Sequence, residues 1–328
     1  IADIESLRKD IRDIMEDDLR GFDAILHLAG LSNDPLGDLN PDITHDINCA
    51  ATLRLGVLAK QAGVKRFIFS SSCSTYGAAG NDAIDETAEF NPVTPYGKSK
   101  VEAEIGLARL ADENFSPTFM RSATAYGVSP RLRFDLVLNN LTAWAYTTGK
   151  VLLKSDGTPW RPIVHIADIA RAFIAALEAP PELVHKEAFN VGQREENYRI
   201  SELAKIVTEV VPGSQVSFAE GAGPDKRNYR VDCSKIFRVL PNYKPVWSAR
   251  RGVEELYETY QQVGLNVEEF EGQRFHRLAH LKFLMAENII SGDLRHQPGV
   301  APEMDGPEVE NRMAENIASG TEAPAMVK

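Results

Sequence analysis

The sequence predicts an α/β protein: a doubly wound (Rossmann-type) parallel sheet carrying a smaller mixed α/β lobe. Two observations lead there. Compact apolar runs recur at Phe22–Ala29, Arg66–Ser70 and Ser116–Arg121, and helical periodicity of about ten residues or more separates them. Strands that alternate with helices of that length form βαβ units, whose crossovers lay the strands parallel.

Taken in order, the run Phe22–Ala29 is closed by Gly30. A helix follows from Asp42 to Gln61, with Ile47, Ala50, Ala51, Leu53, Leu55, Val57 and Leu58 on its apolar face and Gly63 as its stop. Arg66–Ser70 is a second buried strand that runs into a serine-rich turn. A helix is expected over Pro95–Leu110, and Ser116–Arg121 is the third strand. After Gly127 the pattern loosens: helices over Phe134–Thr147, Ile166–Glu178 and Ile200–Val210 alternate with strand-like pieces at Val151–Lys154 and Val216–Ala219. Helices over Arg250–Tyr260 and Arg274–Asn288 complete the reading. It gives a first lobe over 1–125, with 160–180 packing back on it, and a second lobe over 126–296. The proline-rich, acidic stretch 297–328 reads as a disordered tail.

Composition narrows the function classes. The 328 residues include 36 Lys and Arg against 47 Asp and Glu, a net charge of −11. That balance argues against a nucleic-acid or anionic-membrane binder, either of which needs a basic footprint. No apolar run approaches the roughly eighteen residues of a bilayer span. Cys49, Cys73 and Cys233 are odd in number, far apart and form no CxxC pair. They imply a reducing compartment, with the cytoplasm as default.

The sharpest constellation is Ser70–Gly77, reading SSSCSTYG, followed by Tyr96–Lys100, reading YGKSK. On a helix Tyr96 and Lys100 share a face. An ammonium nearby favours phenolate, so Lys100 is expected to lower the pKa of Tyr96 and make it a general base for a sugar hydroxyl. A lone YxxxK is usually an ordinary amphipathic helix; here it follows a strand that ends in serines, inside βαβ units.

These residues resemble the extended short-chain dehydrogenase/reductases, specifically the NAD-dependent nucleotide-sugar epimerase/dehydratase family, over approximately Asp10 to Tyr260. The resemblance implies a catalytic Ser72 beside Tyr96 and Lys100. It implies that Asp10 and Ile11 contact the adenine end of NAD, that Leu28, Ala29 and Gly30 form the strand end beneath the cofactor, and that Asn48 and Ser70 lie nearby. Asn139, Asn140 and Leu141 resemble the segment that holds the nucleotide. Arg161 would bind the diphosphate, which suits a guanidinium fork. Asp225, Arg227 and Tyr229 resemble the segment that closes over the nucleotide, and Phe189–Gly192 a structural strand. Ser74 and Thr124 fall at sugar-facing positions. The implied activity is epimerisation of a nucleotide-sugar through a transient keto-sugar, with NAD (or NADP) as cofactor and a homodimer as assembly.

Departures from the family pattern sharpen this. Dehydratases of the family place Asp-Glu directly after the catalytic Ser/Thr, where this chain has Cys73 and Ser74, so dehydration is disfavoured. Cys73 reads as packing, because along an extended segment it points away from Ser72. Thr124 replaces a usual Asn. His276 and His280 are spaced i,i+4 but lack a third ligand, so no metal is expected and activity should survive chelation.

No glycine-rich phosphate turn precedes Asp10, and Gly221–Gly223 lacks the strand–helix context. Compared with the family, about fifty residues carrying the first two strands would stand upstream, and the Ile1 start favours an incomplete sequence. Two other readings stay open: a one-way nucleotide-keto-sugar reductase, and a nucleotide-sugar-binding pseudoenzyme without a cofactor loop.

Overall fold

The computed structural model describes residues 6–77, 82–223, 228–273 and 275–297. The expectations for Asp225, Arg227 and the tail beyond Gln297 lie outside the described residues. In chain order the elements are β1 (Ala24–His27), α1 (Asp34–Gly37), α2 (Pro41–His45), a π-helical turn (Asp46–Ala50), α3 (Ala51–Gln61), β2 (Arg66–Ser72), β3 (Ala83–Ile84), α4 (Pro95–Leu110), β4 (Ser116–Ser122), β5 (Thr124–Tyr126), α5 (Val137–Thr148) and β6 (Lys150–Ser155). There follow β7 (Trp160–His165), α6 (Ile166–Glu178), α7 (Pro181–Val184), β8 (Ala188–Val191), β9 (Asn197–Arg199), α8 (Ile200–Val210), β10 (Gln215–Gly223), β11 (Arg230–Val231), α9 (Ser234–Val239), α10 (Ala249–Val263), α11 (Val267–Glu271) and α12 (Arg277–Ala286).

The main sheet runs β1-β2-β4-β8, every pair parallel. Its strands are apolar on both faces because both faces are covered. Phe67, Phe69 and Phe119 pack with Leu55, Ala59 and Leu107 of α3 and α4, while the alternate Ile68, Met120 and Phe189 pack with Ala172 and Phe173 of α6. β1 forms one edge of this sheet, and Leu26 and Leu28 are exposed there.

The second lobe holds a three-stranded sheet, β5-β7-β9, and the parallel pair β6–β10. Helices α5, α8 and α10 pack together over a second core that includes Tyr126, Leu141, Leu203 and Val253. A division at residue 125 separates β8 from the sheet it completes. The chain returns to the first lobe through α6, which packs on β2 and β4, and then adds β8 beside β4.

The expected helix over Asp42–Gln61 is broken into α2, the π-helical turn and α3. The wider turn carries Asn48 inward, where its amide is fully used by groups of the sheet end, a common place for such bulges.

Candidate active site

Parallel strands open their carboxyl ends into a crevice, and here β1, β2 and β4 deliver Gly30, Ser70–Ser72 and Ser122 to it. Ser72 and Ser122 are direct neighbours in the register. Helix α4 starts at the same end. Thr94 caps it by accepting from the Gly97 amide at 3.1 Å, and Pro95 occupies its first turn. That fixed start sets Tyr96 and Lys100 on the face toward the strand ends, both buried.

Lys100 Nζ donates to the Ser70 carbonyl at 2.8 Å and lies 4.6 Å from the centre of the Phe69 ring. The Ser72 side chain lies beside the Tyr96 phenol and favours its ionised form, while its hydroxyl accepts from the Ser74 amide at 3.1 Å. Gly30, at φ +147°, has no room for a side chain: a Cβ would meet Asn48 Oδ1 at 2.8 Å and would approach Lys100 Nζ to 3.9 Å. Asn48 Oδ1 accepts from the Leu31 amide at 2.7 Å, and its Nδ2 donates to the Leu31 carbonyl and to Ser99 Oγ. The expected residues Gly30, Asn48, Ser70, Ser72, Tyr96 and Lys100 therefore converge.

The electrostatics correct one expectation. Burial pushes the Tyr96 phenol up to about 12, against the lowering effect of the Ser72 side chain beside it. The Lys100 ammonium, which donates to the Ser70 carbonyl and stands 5.9 Å from the Tyr96 ring centre, does not offset that burial. Burial also pushes Lys100 down to about 8, with Glu104 opposing. Positive charge has to reach the phenol from another source before phenolate dominates at neutral pH.

Elsewhere the fit is uneven. Asp10 caps a short 3-10 turn and is gripped by Arg12 at 2.7 Å, and the same Arg12 reaches Asp46 at the start of the π-helical turn. Ile11 packs against the core beneath α3, and Leu28 is exposed beyond β1, with Ala29 exposed beside it. Ser74 is half-buried with a hydroxyl that has no hydrogen-bond partner, and the Ser122 hydroxyl, which sequence reasoning missed, is in the same state. Thr124 is half-buried at the start of β5.

Arg161 and Tyr229 do come together, guanidinium over ring at 6.0 Å, and both are buried. Asn139, Asn140 and Leu141 are placed differently from the expectation of a nucleotide contact through their side chains. Asn139 accepts from the Gly127 amide at 3.0 Å and donates to the Arg133 carbonyl at 3.1 Å. Asn140 donates to the Phe134 carbonyl at 2.8 Å, and Leu141 is core. These side chains brace the 127–134 loop, because buried amides must spend their donors somewhere.

Cys73 is packing: it is fully buried, its thiol donates to the Arg121 carbonyl, and burial pushes that thiol far above its ordinary range. His276 caps α12 and reaches the Phe270 carbonyl at 3.1 Å.

Beneath the crevice lies a buried polar network that sequence reasoning missed. Glu104, one further turn along α4, accepts from the Ser71 hydroxyl and from Arg121 at 2.7 Å, and Arg121 donates to the Tyr76 hydroxyl at 3.0 Å. The signal was present: Arg121 is a charge inside an otherwise apolar strand, and Glu104 continues the 96, 100 face of the helix. A second group was equally silent. Asn33 donates to Asp135 at 2.5 Å and Arg133 to Ser32 at 3.0 Å, joining the loop after β1 to the loop before α5.

A family model described as NAD dependent epimerase/dehydratase family matches residues 3–192, more than half of the chain. The chain belongs to this family. Two curated relatives illustrate its range. UDP-glucose 4-epimerase of Bacillus subtilis (strain 168) is 29% identical over 254 residues, covering 72% of this chain and 73% of that protein. UDP-glucuronic acid decarboxylase 1 of Arabidopsis thaliana is 27% identical over 269 residues, covering 79% of this chain; the chain spans only 60% of that protein. Among solved structures, MoeE5 in complex with UDP-glucuronic acid and NAD superposes with a TM-score of 0.69 at 25% identity, over 79% of this chain and 86% of the other. The expected epimerase/dehydratase fold is thus met, and among the described residues no helix is long and apolar enough to cross a membrane.

Proposed function

We propose that the protein is an NAD-dependent epimerase of a nucleotide-sugar, working through a transient keto-sugar. The observation that carries this is the meeting of Ser72 with the buried Tyr96 at the carboxyl ends of the strands, with Lys100 held against the same strand end. In this reading Ser72 and Tyr96 share the substrate hydroxyl oxygen. Tyr96 takes its proton as the C–O bond becomes a carbonyl and returns it when the carbonyl is reduced. Lys100 anchors α4 to the strand end through the Ser70 carbonyl, and inversion follows when the keto-sugar presents its other face. Known relatives act on UDP-glucose or are solved with UDP-glucuronic acid and NAD, and these support a UDP-sugar as substrate.

The residues present fit NAD at its reacting end. The lack of a side chain at Gly30 lets the backbone pass against Asn48 and Lys100, and the Ser74 and Ser122 hydroxyls are buried without partners. Gly30, Ser70, Tyr96 and Lys100 would hold that end, with Asn48 bracing the Leu31 backbone behind it, Leu28 and Ala29 beneath it and Asp10 and Ile11 toward the adenine. NAD supplies hydride acceptance and return when bound. Arg161, Tyr229, Ser74 and Thr124 are assigned to the nucleotide-sugar; Asn139, Asn140 and Leu141 support that pocket from behind. We further propose a first lobe over 1–125 completed by the returning α6 and β8, a second lobe over the rest of 126–296, a homodimer and a cytoplasmic setting, in keeping with the family resemblance and the free buried cysteines.

The test is to incubate the protein with UDP-glucose, UDP-galactose and UDP-glucuronic acid and to follow the 4-epimer by chromatography. Tyr96→Phe should lower turnover by roughly 10²–10⁴-fold, the range for a lost general base, while calorimetric affinity for the UDP-sugar stays unchanged. Turnover within tenfold of the parent would remove Tyr96 from the role.

A further inference from the structure

The helix that carries Tyr96 and Lys100 has a second face. Glu102 follows Lys100 by two positions, about 200° around the axis, and points away from the strand ends. With Ile105, Gly106 and Arg109 it forms one wall of a groove of about 460 Å³, whose other wall is His45 of α2, Cys49 and Ala50 of the π-helical turn, and Leu53 of α3. The two walls are locked close together: a Cβ on Gly106 would lie 2.3 Å from Leu53 Cδ2.

Three donor atoms meet at the mouth of this groove. His45 Nε2 stands 2.9 Å from Glu102 Oε2, and the Cys49 thiol lies beside the same carboxylate. The imidazole nitrogen, the sulfur and the carboxylate oxygen all lie within 4.8 Å of one another. His45 and Cys49 are four residues apart across the turn, which sets them side by side. Cys49 is buried and fixed by its turn, whereas His45 and Glu102 are exposed side chains that can close the remaining distance.

We propose that His45, Cys49 and Glu102 bind one divalent transition-metal ion, zinc by the chemistry of the donors, with water as the fourth ligand. Imidazole plus thiolate excludes magnesium and calcium, which take oxygen donors, and one carboxylate completes a set zinc accepts at bond lengths of about 2.0–2.3 Å. A bound cation displaces the Cys49 thiol proton and takes the thiolate. The ion would tie α2 and the Asn48 turn to the back of the catalytic helix. It lies on the opposite face from Tyr96 and Lys100, so it contributes to stability and leaves the chemistry alone. His276 and His280 take no part.

The test is a titration of chelator-treated protein with cobalt(II), then zinc. Expected are one cobalt per chain, a thiolate-to-cobalt charge-transfer band in the near ultraviolet, intense visible bands of a four-coordinate ion, displacement by micromolar zinc and a raised melting temperature. Cys49→Ser should abolish the charge-transfer band, and Glu102→Gln should weaken binding by roughly tenfold or more, with both variants folded by circular dichroism. Absence of the band in the parent, saturation only at millimolar zinc, or a band that survives Cys49→Ser would each overturn the site.

Discussion

The crevice at the strand ends and the pocket of the second lobe use the same residue types for opposite purposes. At the strand ends, Asn48 spends its amide on Leu31 and Ser99 and Lys100 its ammonium on the Ser70 carbonyl, while the Ser74 and Ser122 hydroxyls are left without partners. In the second lobe, Asn139 and Asn140 turn their amides on the backbone of the 127–134 loop, and Arg161 stacks over Tyr229, the two proposed to meet the nucleotide-sugar. A polar residue at a motif position can therefore act on the ligand or on the loop that carries the ligand, and only its hydrogen bonds tell the two apart.

That contrast can be broken by mutation, beginning with the network under the crevice. Glu104→Gln leaves Arg121 buried without its carboxylate, and a broken buried pair costs about 3–5 kcal/mol, so the urea midpoint should fall sharply. An unchanged urea midpoint would mean that the pair does not hold α4 to β2 and β4.

The second lobe gives the finer discrimination. Arg161→Ala should weaken UDP-sugar binding by about 1–3 kcal/mol, the scale of a charge-assisted contact, as read by calorimetry. Asn139→Ala should instead lower stability by about 1–3 kcal/mol through unsatisfied backbone groups, visible in urea melts, with intrinsic affinity in the folded protein nearly unchanged. The reverse pattern would return Asn139 to the ligand.

The smallest effect concerns His27, buried between Thr52 and the Phe67 and Phe69 rings and held down to about 3 by burial, with Lys100 adding to it. Its native pKa lies below the unfolded value near 6.5, so the unfolded chain binds the extra proton first. Stability from this group is complete above pH 6.5 and is lost as pH falls from there toward 3. Urea melts at pH 7 and pH 5 should show the loss in the parent and a smaller one in His27→Gln; equal slopes would remove His27 as the cause.

Much of the fold was legible because burial writes a simple pattern. Pro95–Leu110, Ile166–Glu178 and Ile200–Val210 carry clear periodicity and clear starts, and they form as expected. The cluster of Ser72, Tyr96 and Lys100 was legible because YxxxK and the serines of β2 are short-range motifs that one βα unit brings together. What escaped was set by long-range contact. The π-helical turn depends on Asn48 reaching Leu31, the Glu104–Arg121 pair joins residues from different elements, and the inward amides of Asn139 and Asn140 depend on where a loop closes. The pKa of Tyr96 was misjudged for the same reason: spacing reveals the neighbouring charge and conceals the burial.

The central claim is that the substrate is oxidised and reduced at one carbon, with Tyr96 moving only the hydroxyl proton. Running the reaction with a UDP-sugar in deuterium oxide and examining the product by mass spectrometry and proton NMR tests it directly. The hydrogen leaves carbon as hydride and returns to the same carbon without meeting solvent, so the inverted carbon should carry no deuterium. Deuterium at that carbon would mean deprotonation and reprotonation by a protein base, and would contradict the account.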